Sequence, residues 1–182
     1  MQYTEYLQLF DTILKSDKPQ APYDDAEYLN YTKLNESRMK RWNKTAVLND
    51  ATKEALQSLD KKQHWIIIAE PWCGDASQIV PFLVKMAEES PAITYEIQLR
   101  DAAPFLIDSY LTNGGKAIPK MISRDAEGND LFVWGPRPQD AQNFVVNSKE
   151  QGIPMEQIKI DIQNWYNANK GEAIQKELVE LI

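Results

Sequence analysis

Residues 65–81 read WIIIAEPWCGDASQIVP. The first five, Trp65 to Ala69, form a continuous apolar run rich in β-branched side chains, the pattern of a strand buried on both faces. Cys73 follows at once. Beyond it Ala76, Ile79, Val80, Leu83 and Met86 or Ala87 recur at helical spacing. The order is strand, sharp turn, helix, and the turn carries the only cysteine of the chain. Pro81 falls inside that helix. It cannot donate to the Ser77 carbonyl, so a kink is expected there.

On the C-terminal side, Ile93 to Leu99 alternates as a second strand. Phe105 to Leu111 reads as a helix ended by Asn113-Gly114-Gly115. Lys120 to Ser123 and Asp130 to Trp134 read as two more strands. A turn at Asp125 to Asn129 joins them, and GPRP stops the second. Helical faces follow at Ala141, Phe144, Val145 and Ser148, then at Ile158, Ile162, Trp165 and Tyr166, then at Ile174, Leu178 and Leu181. On the N-terminal side, Tyr3, Tyr6, Leu7, Phe10, Ile13 and Leu14 share one helical face. A second helix is expected from about Ala26 to Asn43, with a basic end of Arg38, Lys40, Arg41 and Lys44 around Trp42. A third, short helix is expected to be capped by Asn49 or Asp50. Strands alternating with helices and then pairing as a hairpin make an α/β chain. We expect one domain: a helical extension over 1–59, a core over 60–150 and C-terminal helices over 151–182.

Composition narrows the function classes. Hydrophobic residues are 43% of 182, enough for a folded core. The net charge of −7 opposes nucleic acid as a main partner, since phosphates must be met by excess Lys and Arg. No apolar run approaches the roughly 20 residues that span a bilayer, so no membrane partner is expected. MQYTEYLQLFD has neither a basic n-region nor an apolar h-region, so it does not read as a signal peptide. One cysteine forms no internal disulfide, and the expected compartment is a reducing cytoplasm. One His and one Cys do not make a usual zinc site. No cofactor is expected.

Together, strand, W-C-G-x-x, helix with an internal proline, strand, helix, I-P, hairpin and helix resemble the thioredoxin fold, over roughly Asp60 to Glu150. Trp72-Cys73-Gly74 looks like the start of the thioredoxin W-C-G-P-C motif. Pro81 matches the proline of the thioredoxin active-site helix. Ile118-Pro119 looks like the dipeptide whose proline is cis and faces the active cysteine. Gly135 resembles the glycine near the end of the last strand. The longer pattern EPWCGDA…QIVP…LRDA…YLTNGGKAIPK…WGPRPQDAQ is similar to a bacterial thioredoxin-like subgroup in which Asp follows Cys-Gly and the last motif position is Cys or Ala. The resemblance implies a central mixed sheet flanked by helices, a cis Pro119 and a reactive Cys73, with Trp72, Gly74, Asp75, Ile118 and Pro119 in support. Two departures are plain. Ala76 stands where the resolving cysteine belongs, and Asp75 where the proline belongs.

An unperturbed thiol, pKa ~8.5, is only about 3% ionised at pH 7, and thiol chemistry needs the thiolate. A helix N-terminus favours the anion, whereas Asp75, two residues on, disfavours a second negative charge. Cys73 is therefore either a nucleophile exposed by the strand-to-helix turn or an inert, small apolar residue. As a nucleophile it is a monothiol oxidoreductase. It attacks a disulfide to form a mixed disulfide, and an external thiol such as glutathione or bacillithiol releases it, so the expected partner is a protein disulfide or a low-molecular-weight thiol. The alternative is a non-catalytic adaptor or protein-binding module.

Asp75 reads as capping or stabilising the helix N-terminus, with a general-base role as the alternative. Trp72 is either a cover for the thiol or ordinary packing. Glu70 is expected to be at the surface or hydrogen-bonded, and His64 to be structural. The basic set of the second helix is either a solvated face or an anion site. Arg137 is held stiffly between two prolines as a candidate partner contact. The backbone of Ile118 is a candidate edge for an extended peptide.

Overall fold

Four strands form one mixed sheet in a computed structural model that describes residues 1–182. In chain order they are β1 (Gln63–Ala69), β2 (Ile93–Leu99), β3 (Lys120–Arg124) and β4 (Asp130–Trp134), arranged β2-β1-β3-β4. The apolar run at Trp65 lies in β1, next to the middle of the sheet. It pairs parallel with β2 and antiparallel with β3, and every β1 residue except His64 is buried. A parallel neighbour requires a crossover. The helix α4 supplies it, spanning Gly74–Glu89 and buried along nearly its whole length. Pro81 sits inside α4 without ending it. The β3–β4 hairpin turns at Asp125, whose side chain accepts from the Asn129 N–H at 2.8 Å, and Gly128 supplies a φ of +87° there.

The remaining helices flank the sheet. Before β1 come α1 (Tyr3–Leu14), α2 (Ala26–Thr45) and α3 (Asp50–Gln57). Asp25 caps α2 by accepting from the Glu27 and Tyr28 N–H groups, and Asn49 caps α3 by accepting from Thr52 at 2.8 Å. After the hairpin come α5 (Gln139–Glu150), α6 (Met155–Asn169) and α7 (Glu172–Val179). None of these helices is long and apolar enough to cross a membrane.

The helix expected at Phe105–Leu111 reduces to one 3₁₀ turn, Leu106–Ser109. Phe105 adopts a left-handed φ of 57° directly after Pro104, and only Ile107 of the turn is buried. One buried side chain is too little apolar periodicity to hold a longer helix against the sheet.

Two packing joints position the site. The α2 helix lies along α4, where the Trp42 and Phe82 rings meet at 5.1 Å. Beside them Gln78 of α4 accepts from Trp42 Nε1 of α2 and donates to Gln163 Oε1 of α6 at 2.7 Å. Gln78 thereby ties together the three helices that wall the turn at Cys73. Between α6 and α7, Gly171 takes a φ of +79°, and a Cβ there would stand 2.3 Å from the Phe82 ring. Only glycine fits that approach.

Candidate functional site

Cys73 is the N-cap of α4. Its sulfur accepts from the Ala76 N–H and its S–H donates to the Ile118 carbonyl, both at 3.4 Å. Ile118-Pro119 is cis, as expected. Gly135 fits the same joint. Its φ is +106°, and a Cβ there would lie 2.5 Å from the Pro119 carbonyl oxygen. The fold thus brings the cysteine turn, the Ile118-Pro119 loop and the end of β4 together, although they are far apart in sequence.

Whether the thiol is exposed was left open by the sequence, and the structure buries it. Cys73 is only 7% exposed, because the loop bearing Ile118 closes over the turn and takes the S–H on its carbonyl. Burial pushes the thiol up to about 12, and the negative charge of Asp75 acts in the same direction. The N–H groups of Ala76 and Asp75 and the charge on Arg137 pull the other way and lose. The contest left open by the sequence is therefore decided chiefly by burial.

Cys73, not Asp75, caps α4, and of the two helix roles read for Asp75 only that of an acid in the first turn remains. It lies in the first turn, but its carboxylate points to partners elsewhere. Arg137 meets one oxygen at 2.5 Å, and the Tyr166 hydroxyl donates to the other at 2.9 Å. Arg137, from the GPRP turn, thus reaches within one side chain of the thiol, a placement its sequence context did not reveal. Burial works against the charge on Arg137, and pairing with Asp75 more than restores it. Tyr166 is held well above the ordinary phenol range by burial, with Asp75 adding to it. Ala76 is 1% exposed, so the resolving position is filled by packing.

Glu70 is hydrogen-bonded but buried rather than at the surface. It accepts from the Asp101 N–H at 3.0 Å and from the Tyr23 hydroxyl at 3.4 Å, and burial raises it. His64 shares a hydrogen bond with Thr94 at 2.8 Å, in keeping with a structural role. Trp72 is half-buried. It packs edge-on to Tyr28 at 5.4 Å, and the Arg100 guanidinium lies 4.6 Å from its ring centre. Its indole N–H is buried without an acceptor.

An open cleft of about 550 Å³ lies over these groups, with Cys73 and Ile118 in its lining. Its cations are Arg38, Arg100, Lys116, Arg137 and Lys159, set against only two carboxylates, Glu27 and Asp75. Of the basic set on α2, Arg38 alone reaches this cleft. Lys40 pairs with Glu36 at 2.6 Å, Arg41 donates to Asn167 at 2.7 Å, and Lys44 stays exposed. Tyr28 and Tyr31 of α2 and Gln163 of α6 complete the wall. Sequence reasoning missed these wall residues. Lys159 and Gln163 each follow directly on an apolar residue of α6, Ile158 and Ile162, and that spacing was their only signal.

The family model described as Thioredoxin matches residues 21–157. Two solved structures align over 94% of this chain and 99% of their own, each with a TM-score of 0.50. One is an HIV epitope scaffold at 19% identity; the other is a protein of unknown function from Pseudomonas aeruginosa at 17%. At such identity they speak for the fold alone. No curated protein matches. The family match takes in α2, the cysteine turn, the Pro119 loop and the hairpin in one span, and the chain belongs to the thioredoxin-like family.

Proposed function

We propose that the protein is a monothiol thiol–disulfide exchange protein whose thiol is held in reserve until a disulfide occupies the cleft. The observation that carries this reading is the position of Cys73 Sγ. It sits at the start of α4 and at the lining of the cleft, on the backbone of Ile118. Reaction at Cys73 sheds the thiol proton. The sulfur then attacks one sulfur of the substrate disulfide, the substrate S–S bond breaks, and the departing thiolate takes the electron pair and a proton. A second, low-molecular-weight thiol attacks the mixed disulfide and restores the Cys73 thiol. With Ala76 in the resolving position, that second thiol comes from outside the chain.

The resting thiol limits the rate. At about 12 it is roughly 10⁻⁵ ionised at pH 7, against about 3% for a free thiol. The higher intrinsic nucleophilicity of a more basic thiolate recovers part of this, leaving attack about a hundredfold slower than by a free thiol. Binding therefore precedes chemistry in this reading, and a ligand that displaces the Ile118 carbonyl from the S–H relieves part of the restraint.

Incubation with glutathione disulfide at pH 9 and intact-mass measurement test the reading. One adduct on the wild type, none on Cys73→Ser, and its removal by added thiol are expected. The same burial of the thiol favours a second reading, a binding module in which Cys73 only caps α4. Absence of any adduct, with the fold intact, would establish that reading in place of the first.

A further inference from the structure

Arg38 differs from every other cation of the cleft. Arg100 pairs with Asp101, Lys116 with Asp108 and Lys159 with Glu156, each at 2.7 Å, and Arg137 is held by Asp75. Arg38 takes part in no ion pair. Its one partner is neutral: NH1 donates to Asn35 Oδ1 at 2.8 Å. Asn35 is fully buried and donates in turn to the Pro71 carbonyl at 2.9 Å, two residues before Cys73. A buried amide thus clamps Arg38 onto the cysteine turn. The guanidinium is partly desolvated, which works against its charge, as does the nearby Arg41, and Tyr31 and Asp75 offset this only in part. It stands 3.8 Å from where a Gly74 Cβ would be, and Gln163 Nε2 lies 3.3 Å from the same point.

Other donors in the cleft lack partners as well. Trp72 Nε1 and Arg137 Nε are buried N–H groups with no acceptor, and both residues line the cleft. Buried donors left unmet are costly. The Ile118 N–H makes no hydrogen bond within the chain, while its carbonyl takes only the thiol. A guanidinium without an ion-pair partner calls for an anion. A free backbone N–H in a residue of the same cleft lining calls for a ligand with a peptide backbone, and the anions of peptides are carboxylates. The cleft volume of about 550 Å³ suits a molecule of a few residues rather than a folded domain.

We infer that Arg38 is the carboxylate-binding residue of the cleft, and that the disulfide accepted at Cys73 is a small peptide disulfide bearing a free carboxylate. This rests on the exchange reading of Cys73. The helical extension before the sheet thereby selects the substrate, and the thioredoxin-like core carries out the exchange.

The experiment compares two disulfides at pH 9, glutathione disulfide with its carboxylates and neutral hydroxyethyl disulfide, by the rate of adduct formation on Cys73. Wild type is expected to prefer glutathione disulfide by at least about tenfold, the size of one charge-assisted contact. Arg38→Gln is expected to erase the preference, read as the ratio of the two rates within each variant, and Arg38→Lys to restore part of it. Binding of S-methylglutathione to Cys73→Ser, followed by NMR, reads the carboxylate site without chemistry. Equal rates for both disulfides in wild type overturn the inference and leave exchange standing. No adduct with either disulfide, with S-methylglutathione bound in an Arg38-dependent way, sustains the carboxylate site and overturns exchange alone. S-methylglutathione binding that ignores Arg38→Gln overturns the inference.

Discussion

Two buried acids flank Cys73, and the chain satisfies them differently. Asp75, on the cleft side, is met by a guanidinium and a phenol from beyond the sheet, Arg137 and Tyr166. Glu70, at the end of β1, has no ion pair and is met by neutral donors, the Asp101 N–H and Tyr23. A carboxylate beside a thiol disfavours the thiolate. Pairing Asp75 with Arg137 gives that carboxylate a partner and also places a cation where a developing thiolate would need one. Glu70 has no such role in view, and neutral donors suffice to bury it.

The largest effect expected from breaking this contrast is at Arg137. Arg137→Ala leaves Asp75 buried without its cation and should lower unfolding stability by about 2–3 kcal/mol in chemical denaturation. Adding Asp75→Asn to that variant should recover a good part of the loss. If the double variant is no more stable than the single one, the ion pair is not what Arg137 contributes.

Glu70 should show itself through pH. Its folded value is raised by burial, so the folded state holds the proton over a range where the unfolded chain has lost it. Its contribution to stability is thus present below the ordinary carboxylate value and falls as pH rises through the folded value. Glu70→Gln should flatten that part of the stability–pH curve and change stability at pH 7 by no more than about 1 kcal/mol. An unchanged slope would mean that Glu70 titrates like an exposed carboxylate.

The hydroxyls should give the smallest effects. Tyr166→Phe removes a 2.9 Å donor from Asp75 and should cost about 1 kcal/mol, while Tyr23→Phe removes a 3.4 Å contact to Glu70 and should cost about half as much. Thermal midpoints of the two variants measured side by side would reveal a reversed order.

The elements that the sequence announced are those with strong local signals. The β1 run is apolar on both faces because it has a strand on each side and helices over it, and α4 follows from its apolar repeat. Cis Pro119 and the close approach of Gly135 came with the thioredoxin-like pattern rather than from any local propensity. The 3₁₀ turn at Leu106 was misread because the segment is rich in apolar residues, yet only Ile107 of the turn is buried. The environment of Cys73 was the least legible. Its burial depends on a loop 45 residues away, and the partners of Asp75 lie 62 and 91 residues further on. Nothing in the spacing of the chain connects Asp75 to Arg137, a contact that depends on side-chain reach across packed elements, whereas Asn35 and Arg38 stand three apart on one face of α2.

The most direct test of a thiol held in reserve is the alkylation rate of Cys73 against pH, in wild type and in Asp75→Asn. The wild-type midpoint should lie well above the ~8.5 of a free thiol and should move down when Asp75 loses its charge. A wild-type midpoint at or below the free value, or one that does not move in Asp75→Asn, would contradict the account.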